Sequence, residues 1–133
     1  MKSRPQQLLI PLVCIFTVVQ SLTAQEAKPG KPKQFIYVLR LVPRLYADSA
    51  WTKEDTAALE RHFARFQEAT KSGQLILAGR ASEPGDKTFG VAIFEAPDAE
   101  AARKFMQEDP AVAGGLMTAE LHPFAVALER KNP

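Results

Sequence analysis

Phe35-Ile36-Tyr37-Val38-Leu39-Arg40-Leu41-Val42 is apolar on both of its alternations. Phe35, Tyr37, Leu39 and Leu41 fall on one side of an extended chain, Ile36, Val38 and Val42 on the other, and Arg40 alone interrupts them. Side chains alternate across a strand, so apolar residues on both sides predict a strand covered from both faces. Later segments of the chain must supply one cover, and something else must supply the second.

Downstream, Thr52 and Asp55 have the spacing of a capping box with Asp in place of the usual Glu, predicting a helix that runs to about Ser72 and stops at Gly73. On a helical wheel Leu59, Phe63, Phe66 and Thr70 share one face, while Glu60, Glu68 and Lys71 point away. Two short apolar runs, residues 74–80 and 88–95, are joined by Pro84, Gly85 and Asp86 and read as an antiparallel hairpin. A second helix begins near Pro97-Asp98, with proline close to the first helical position, and ends at Glu108 because Pro110 pushes Asp109 out of the helical region. After a bend at Gly114-Gly115 comes a last strand, Met117 to about Leu128.

Strand, helix, strand, strand, helix, strand is the split βαβ order of ferredoxin-like α+β domains: a four-stranded antiparallel sheet with two helices on one face. The first and third strands are then central and the fourth is an edge, where Pro123 is tolerated. Two helices cover one face only. The apolar second face of residues 35–42 therefore predicts a homodimer joined through the sheets.

The chain has 133 residues with 17 basic and 15 acidic side chains and a single cysteine, enough for one compact domain. Residues 1–24 hold Lys2 and Arg4 and no acid, so the rest of the chain is charge-balanced. Without a basic excess there is little counterion release to drive phosphate binding, which argues against a nucleic-acid partner. Those 24 residues carry a short apolar run from Leu8 to Val19, interrupted by Pro11 and followed by Thr23-Ala24. This is the pattern of a secretory signal peptide, and a membrane span would need roughly 20 apolar residues. Cleavage after Ala24 predicts an exported protein, secreted or periplasmic, with no stable membrane insertion; an uncleaved anchor is the alternative. Cys14 would leave with the peptide, taking with it any disulfide, thiol nucleophile or cysteine metal site. Residues 25–33, rich in lysine, proline and glycine, read as a linker, and the domain spans 34–131.

Only two histidines occur, His62 and His122, which excludes a three-histidine metal centre within one chain, and no phosphate loop or dinucleotide fingerprint is present. The expectation is no metal and no cofactor. His62 lies about 60° from Leu59 and about 40° from Phe66 on the wheel, at the margin of the apolar stripe. It is either a structural residue hydrogen-bonded to a neighbour or a general acid/base, since imidazole exchanges protons near neutrality. Asp109 ends the second helix on the side of Ala102 and Met106, where the helix dipole disfavours a carboxylate; it is either a helix terminator or kept for another reason. Arg40, set among apolar residues, needs a partner: an acid such as Glu120, or an anionic substrate. Trp51, before the first helix, is a packing residue or a lid. His122 is solvated or at the dimer contact.

The segments His62-Phe63-Ala64-Arg65-Phe66 with Gly73-Gln74-Leu75-Ile76-Leu77-Ala78-Gly79, and Asp109-Pro110-Ala111-Val112-Ala113-Gly114-Gly115-Leu116 with His122-Pro123-Phe124, resemble the YciI-like (YCII-related) proteins. These are small dimeric α+β-barrel domains of ferredoxin-like fold, and the resemblance covers roughly Phe35 to Leu128. It implies that His62 and Asp109 are brought together as a paired active site. The chain departs from the family in Arg80, where proline is common, in its short hairpin loop, in His122, where lysine is frequent, and in its signal peptide. On this basis the chain is expected to be an exported, cofactor-independent acid/base enzyme for proton abstraction, elimination or isomerisation on a small molecule. The competing classes are a non-catalytic small-ligand-binding module and a purely structural envelope protein.

Overall fold

The computed structural model of the protein describes residues 32–130. The expected signal peptide and most of the expected linker lie outside them. The elements are β1 (Lys33–Leu41), α1 (Lys53–Lys71), β2 (Leu75–Arg80), β3 (Gly90–Ala96), α2 (Ala99–Gln107), a one-turn α3 (Pro110–Ala113) and β4 (Met117–Phe124). The strands form one antiparallel sheet in the order β2-β3-β1-β4. This is the ferredoxin-like α+β arrangement, with β1 and β3 central and Pro123 on an edge strand, as the sequence predicts.

On the helix-covered face Phe35, Tyr37 and Leu39 are buried against Phe94, Ala92, Phe66 and Met106. Tyr37 stands between Ala92 and Leu121 on the neighbouring strands, and the small Ala92 leaves room for its ring. The Tyr37 and Phe94 rings meet edge to face with centroids 5.6 Å apart, a geometry that aromatic quadrupoles favour. The other face carries Ile36, Val38 and Arg40 on β1, Val91 and Ile93 on β3, and Glu120 and His122 on β4. It has no cover among the described residues, and Leu77 and Phe124 are exposed there at 51% and 40%.

The predicted capping box opens α1: Thr52 Oγ1 accepts from the Asp55 N–H at 3.1 Å, and Asp55 Oδ2 accepts from the Thr52 N–H at 3.0 Å. Gly73 ends it with φ of 79°, a left-handed conformation that a Cβ would strain. Along α1, however, the buried residues are Asp55, Ala58, His62, Phe66 and Ala69, and Phe63 is 64% exposed. The stripe is rotated from the one expected because small alanines, rather than the largest apolar side chains, let the helix approach the sheet. His62 is thereby moved from the margin into the buried stripe.

Two further expectations change, at Asp109 and at the end of β4. α2 ends at Gln107 with Glu108 as its C-cap, as expected of Pro110, but the chain then restarts at Pro110 as α3, with Asp109 as its N-cap. Asp109 therefore caps a helical turn, and the hydrogen bond its carboxylate accepts from the Ala111 N–H offsets its unfavourable place just past the C-terminus of α2. α2 starts where expected, with Asp98 as its N-cap, the side chain accepting from the Ala101 N–H at 2.8 Å. β4 stops at Phe124 rather than about Leu128, because Phe124 already pairs with Gln34 near the start of β1 and little strand is left beyond it. Leu128 is 95% exposed.

Candidate active site

The two helical segments bring His62 and Asp109 into direct contact. His62 Nδ1 lies 2.7 Å from Asp109 Oδ1 and 2.9 Å from Oδ2. Each residue is placed by a local cause. His62 follows Ala58 by one helical turn, and Ala58 shares a buried cluster with Ala111 of α3, Leu45 and Leu116. Small side chains at this crossing let α3 approach α1. Asp109 is turned toward α1 by Pro110, which starts α3, and the Ala111 N–H donates to Oδ1 at 2.9 Å. Gly114 holds the exit of α3, where a Cβ would stand 2.7 Å from the Pro110 carbonyl oxygen. The Phe66 ring packs on the imidazole with centroids 4.3 Å apart and limits its rotation.

A third group completes the arrangement. The Tyr37 hydroxyl donates to Asp109 Oδ2 at 2.8 Å, and both residues are fully buried. The alternation of β1 places Tyr37 in the core only as an apolar body and does not identify this bond. The available signal is a phenol on a face otherwise made of Phe and Leu, since a buried hydroxyl must find a partner. The Asp109 carboxylate thus accepts from the His62 ring, the Ala111 N–H and the Tyr37 hydroxyl. Burial pushes its pKa up, but the His62 hydrogen bond and charge, with the Ala111 and Tyr37 hydrogen bonds, outweigh that and hold it below the ordinary value. The Tyr37 phenol is raised above its ordinary value, first by burial and then by the Asp109 charge and hydrogen bond. It stays protonated and can only donate to the carboxylate.

An ionised carboxylate has no proton to give, so the hydrogen between it and His62 belongs to Nδ1. In the neutral ring Nε2 then carries a lone pair. Nε2 has no partner among the described residues, and no fully buried polar side-chain atom there lacks one, so Nε2 retains access to open space. His62 also lines a cavity of about 650 Å³ between α1 and the β2–β3 end of the sheet. Trp51, Phe63, Phe66, Phe89 and Arg80 are among the other residues that line it.

Arg40 is not brought to this pair. It is exposed, and by the alternation of β1 it faces the uncovered side of the sheet. Its guanidinium lies 5.7 Å from the Phe89 ring centroid, and it makes no ion pair with Glu120 among the described residues. The expected burial cost is relieved by exposure. Trp51 is held: its Nε1–H donates to the Leu45 carbonyl at 3.1 Å, which fixes the indole as a cavity wall. His122 is half-exposed, with Nε2 3.7 Å from Glu120 Oε1. A cluster not expected from the sequence anchors the loop before α1, where Arg44 donates to both Asp55 oxygens at 2.9 and 2.7 Å. With the Arg44 hydrogen bond first and the Thr52 N–H second, the Asp55 carboxyl is held well below the usual carboxylate range. No three His, Cys, Asp or Glu residues come together to hold a metal among the described residues.

The sheet order and the arrangement of the helices define a ferredoxin-like α+β domain. Within that class, the family model for the YCII-related domain matches residues 39–125, and the chain belongs to that family. The match takes in both His62 and Asp109. A search of curated proteins returns no match.

Proposed function

We propose that the chain is an exported homodimer in which His62 Nε2 takes and returns a proton while Asp109 holds the ring through Nδ1. The observation that carries this reading is the joint placement of the pair: Asp109 fixes the Nδ1–H tautomer, the remaining ring nitrogen has access to open space, and His62 lines a cavity of about 650 Å³ with aromatic walls. The step is abstraction of a proton from a carbon beside a carbonyl. The C–H electron pair moves into the carbonyl as an enolate, and the ring becomes an imidazolium stabilised by the Asp109 carboxylate. Return of the proton to a different atom isomerises the substrate; departure of a β substituent with the electron pair completes an elimination. Small carbonyl-bearing or aromatic molecules suit the cavity, and these steps use no metal or cofactor.

Transfer of deuterium from D2O into the carbon next to the carbonyl, followed by NMR over a panel of small ketones and carbonyl acids, tests the reading. At least one member exchanges faster with the protein than without it, and His62→Asn lowers that rate by about 100-fold or more. Binding without exchange across the panel would instead favour a ligand-binding module. That second reading draws on the tight packing of His62 against Phe66 and its 8% exposure, which a purely hydrogen-bonding role would also require.

The homodimer is supported by the uncovered sheet face, where Ile36, Val38, Val91 and Ile93 are only half-buried. Exported protein is expected to begin near Gln25 and to sediment as a dimer at micromolar concentration, whereas Val38→Glu sediments as a monomer. A monomeric parent, or an intact N-terminus on the exported chain, would refute the corresponding part.

A further inference from the structure

The cavity beside His62 is marked by where its charge sits and where side chains are missing. Arg80 ends β2, is exposed, and has no carboxylate within 4.0 Å among the described residues, although it lines the cavity. Its positive charge is therefore unneutralised. Phe63 and Phe89, exposed at 64% and 37%, line the same space, an arrangement that leaves apolar ring surface in water unless something flat covers it. On the sheet side Gly90 of β3 pairs with Arg80 of β2, and a Cβ there would meet Leu39 Cβ at 3.5 Å on the helix-covered face. Ala78, on the same face and also lining the cavity, adds only a methyl group, whereas Gly79 pairs with Val91 and faces the uncovered side. Gly90 and Ala78 thus leave a low floor beneath the aromatic walls, which favours a planar body.

The lining also contains Glu60, exposed on α1. With Arg80 as the one free cation among the described lining residues and Glu60 as a fixed anion, a ligand with a single negative charge can pair with Arg80. A second negative charge would face Glu60 without a counter-charge.

We infer that the cavity takes a small monoanion with a flat, apolar body, its carboxylate held by Arg80 and its body laid between the aromatic walls and the Ala78–Gly90 floor. This rests on the cavity being the ligand site of the proposed function. It adds the class of ligand and the residue that selects it. Arginine suits the role because its planar fork donates two parallel hydrogen bonds to a carboxylate.

Three probes of one shape and different charge test it: naphthylacetate, naphthylacetamide and naphthylethylamine, titrated against the full mature protein by NMR. The readout is the indole N–H of Trp51, the chain's only tryptophan and a cavity wall. All titrations are also run in the His62→Asn background, so that ligand choice is measured apart from proton transfer. The acetate is expected to bind about tenfold more tightly than the amide. Arg80→Gln removes that preference without weakening the amide, Arg80→Lys keeps part of it, and Glu60→Gln strengthens the acetate further. Equal binding of all three probes, tightest binding of the amine, or no binding of any at millimolar concentration would overturn the inference. Absence of deuterium exchange would instead remove the catalytic reading and leave the charge preference standing.

Discussion

Replacing Asp109 by Ala is expected to lower the unfolding free energy by about 3–5 kcal/mol, a large share of the roughly 5–15 kcal/mol that holds a domain together. The carboxylate is fully buried and receives hydrogen bonds from the His62 ring, the Tyr37 hydroxyl and the Ala111 N–H. Alanine leaves these donors without an acceptor, and the phenol lies in the middle of the core, where water cannot replace the lost partner. The N-cap of α3 is one of these bonds, worth about 1 kcal/mol of the loss. Urea denaturation of parent and variant measures the difference; a change under about 1 kcal/mol would mean that the network is not a stabilising element. The same carboxylate gives stability an acid limit. Its folded pKa lies below the ordinary value of 3.8, so its contribution is fully present above that value and is lost as pH falls through the lowered folded pKa. The parent should therefore weaken below about pH 4, and a variant without the carboxylate should lose that part of the dependence.

Asp109→Asn is the milder structural change with the larger expected effect on chemistry: a fall of about 10²–10⁴ in the deuterium-exchange rate. Asparagine can keep an oxygen toward the Ala111 N–H, which lies 2.9 Å from Oδ1. Its amide nitrogen then takes the Oδ2 position, 2.9 Å from His62 Nδ1 and 2.8 Å from the Tyr37 hydroxyl, while the kept oxygen lies 2.7 Å from Nδ1. Nδ1 now faces a donor as well as an acceptor, so the ring is no longer held to the Nδ1–H tautomer, and the form with its proton on Nε2 offers no lone pair toward the cavity. The negative charge that stabilises the imidazolium is lost as well. Nitrogen-15 shifts of the ring report the tautomer directly, and exchange measured on the same sample reports the rate. A parent-like tautomer together with an exchange rate within threefold of the parent would show that Asp109 does not govern proton transfer at His62.

Local patterns determined much of this protein. The two-sided apolar run of residues 35–42, the Thr52–Asp55 box and the Gly73 stop each act over a few residues, through side-chain alternation, hydrogen bonds to the first helical turn, and the permitted φ of glycine. Together they specify β1, α1 and, with the later runs, the ferredoxin-like order. Pro110 is legible for the same reason, because it constrains its own neighbour whatever surrounds it. The candidate pair is visible as two residues of suitable chemistry, although their pairing comes from resemblance to a family and not from spacing.

Tertiary packing decided the rest. Whether α1 turns His62 or Phe63 toward the core depends on how closely the helix can approach the sheet, and that distance is set by Ala58 and Ala69 meeting partners far away in sequence. The Tyr37 hydroxyl reaches Asp109 across 72 positions of chain, a contact that no local pattern can announce. The one-turn α3 that follows the second helix gave Asp109 the role of an N-cap, which its place past the end of α2 does not announce. Arg40 has apolar neighbours along the strand, yet its exposure follows from which face of the sheet the helices leave open. Propensity acts between near neighbours, whereas burial, cavity walls and the partner of a buried polar atom are properties of surfaces that only folding brings together.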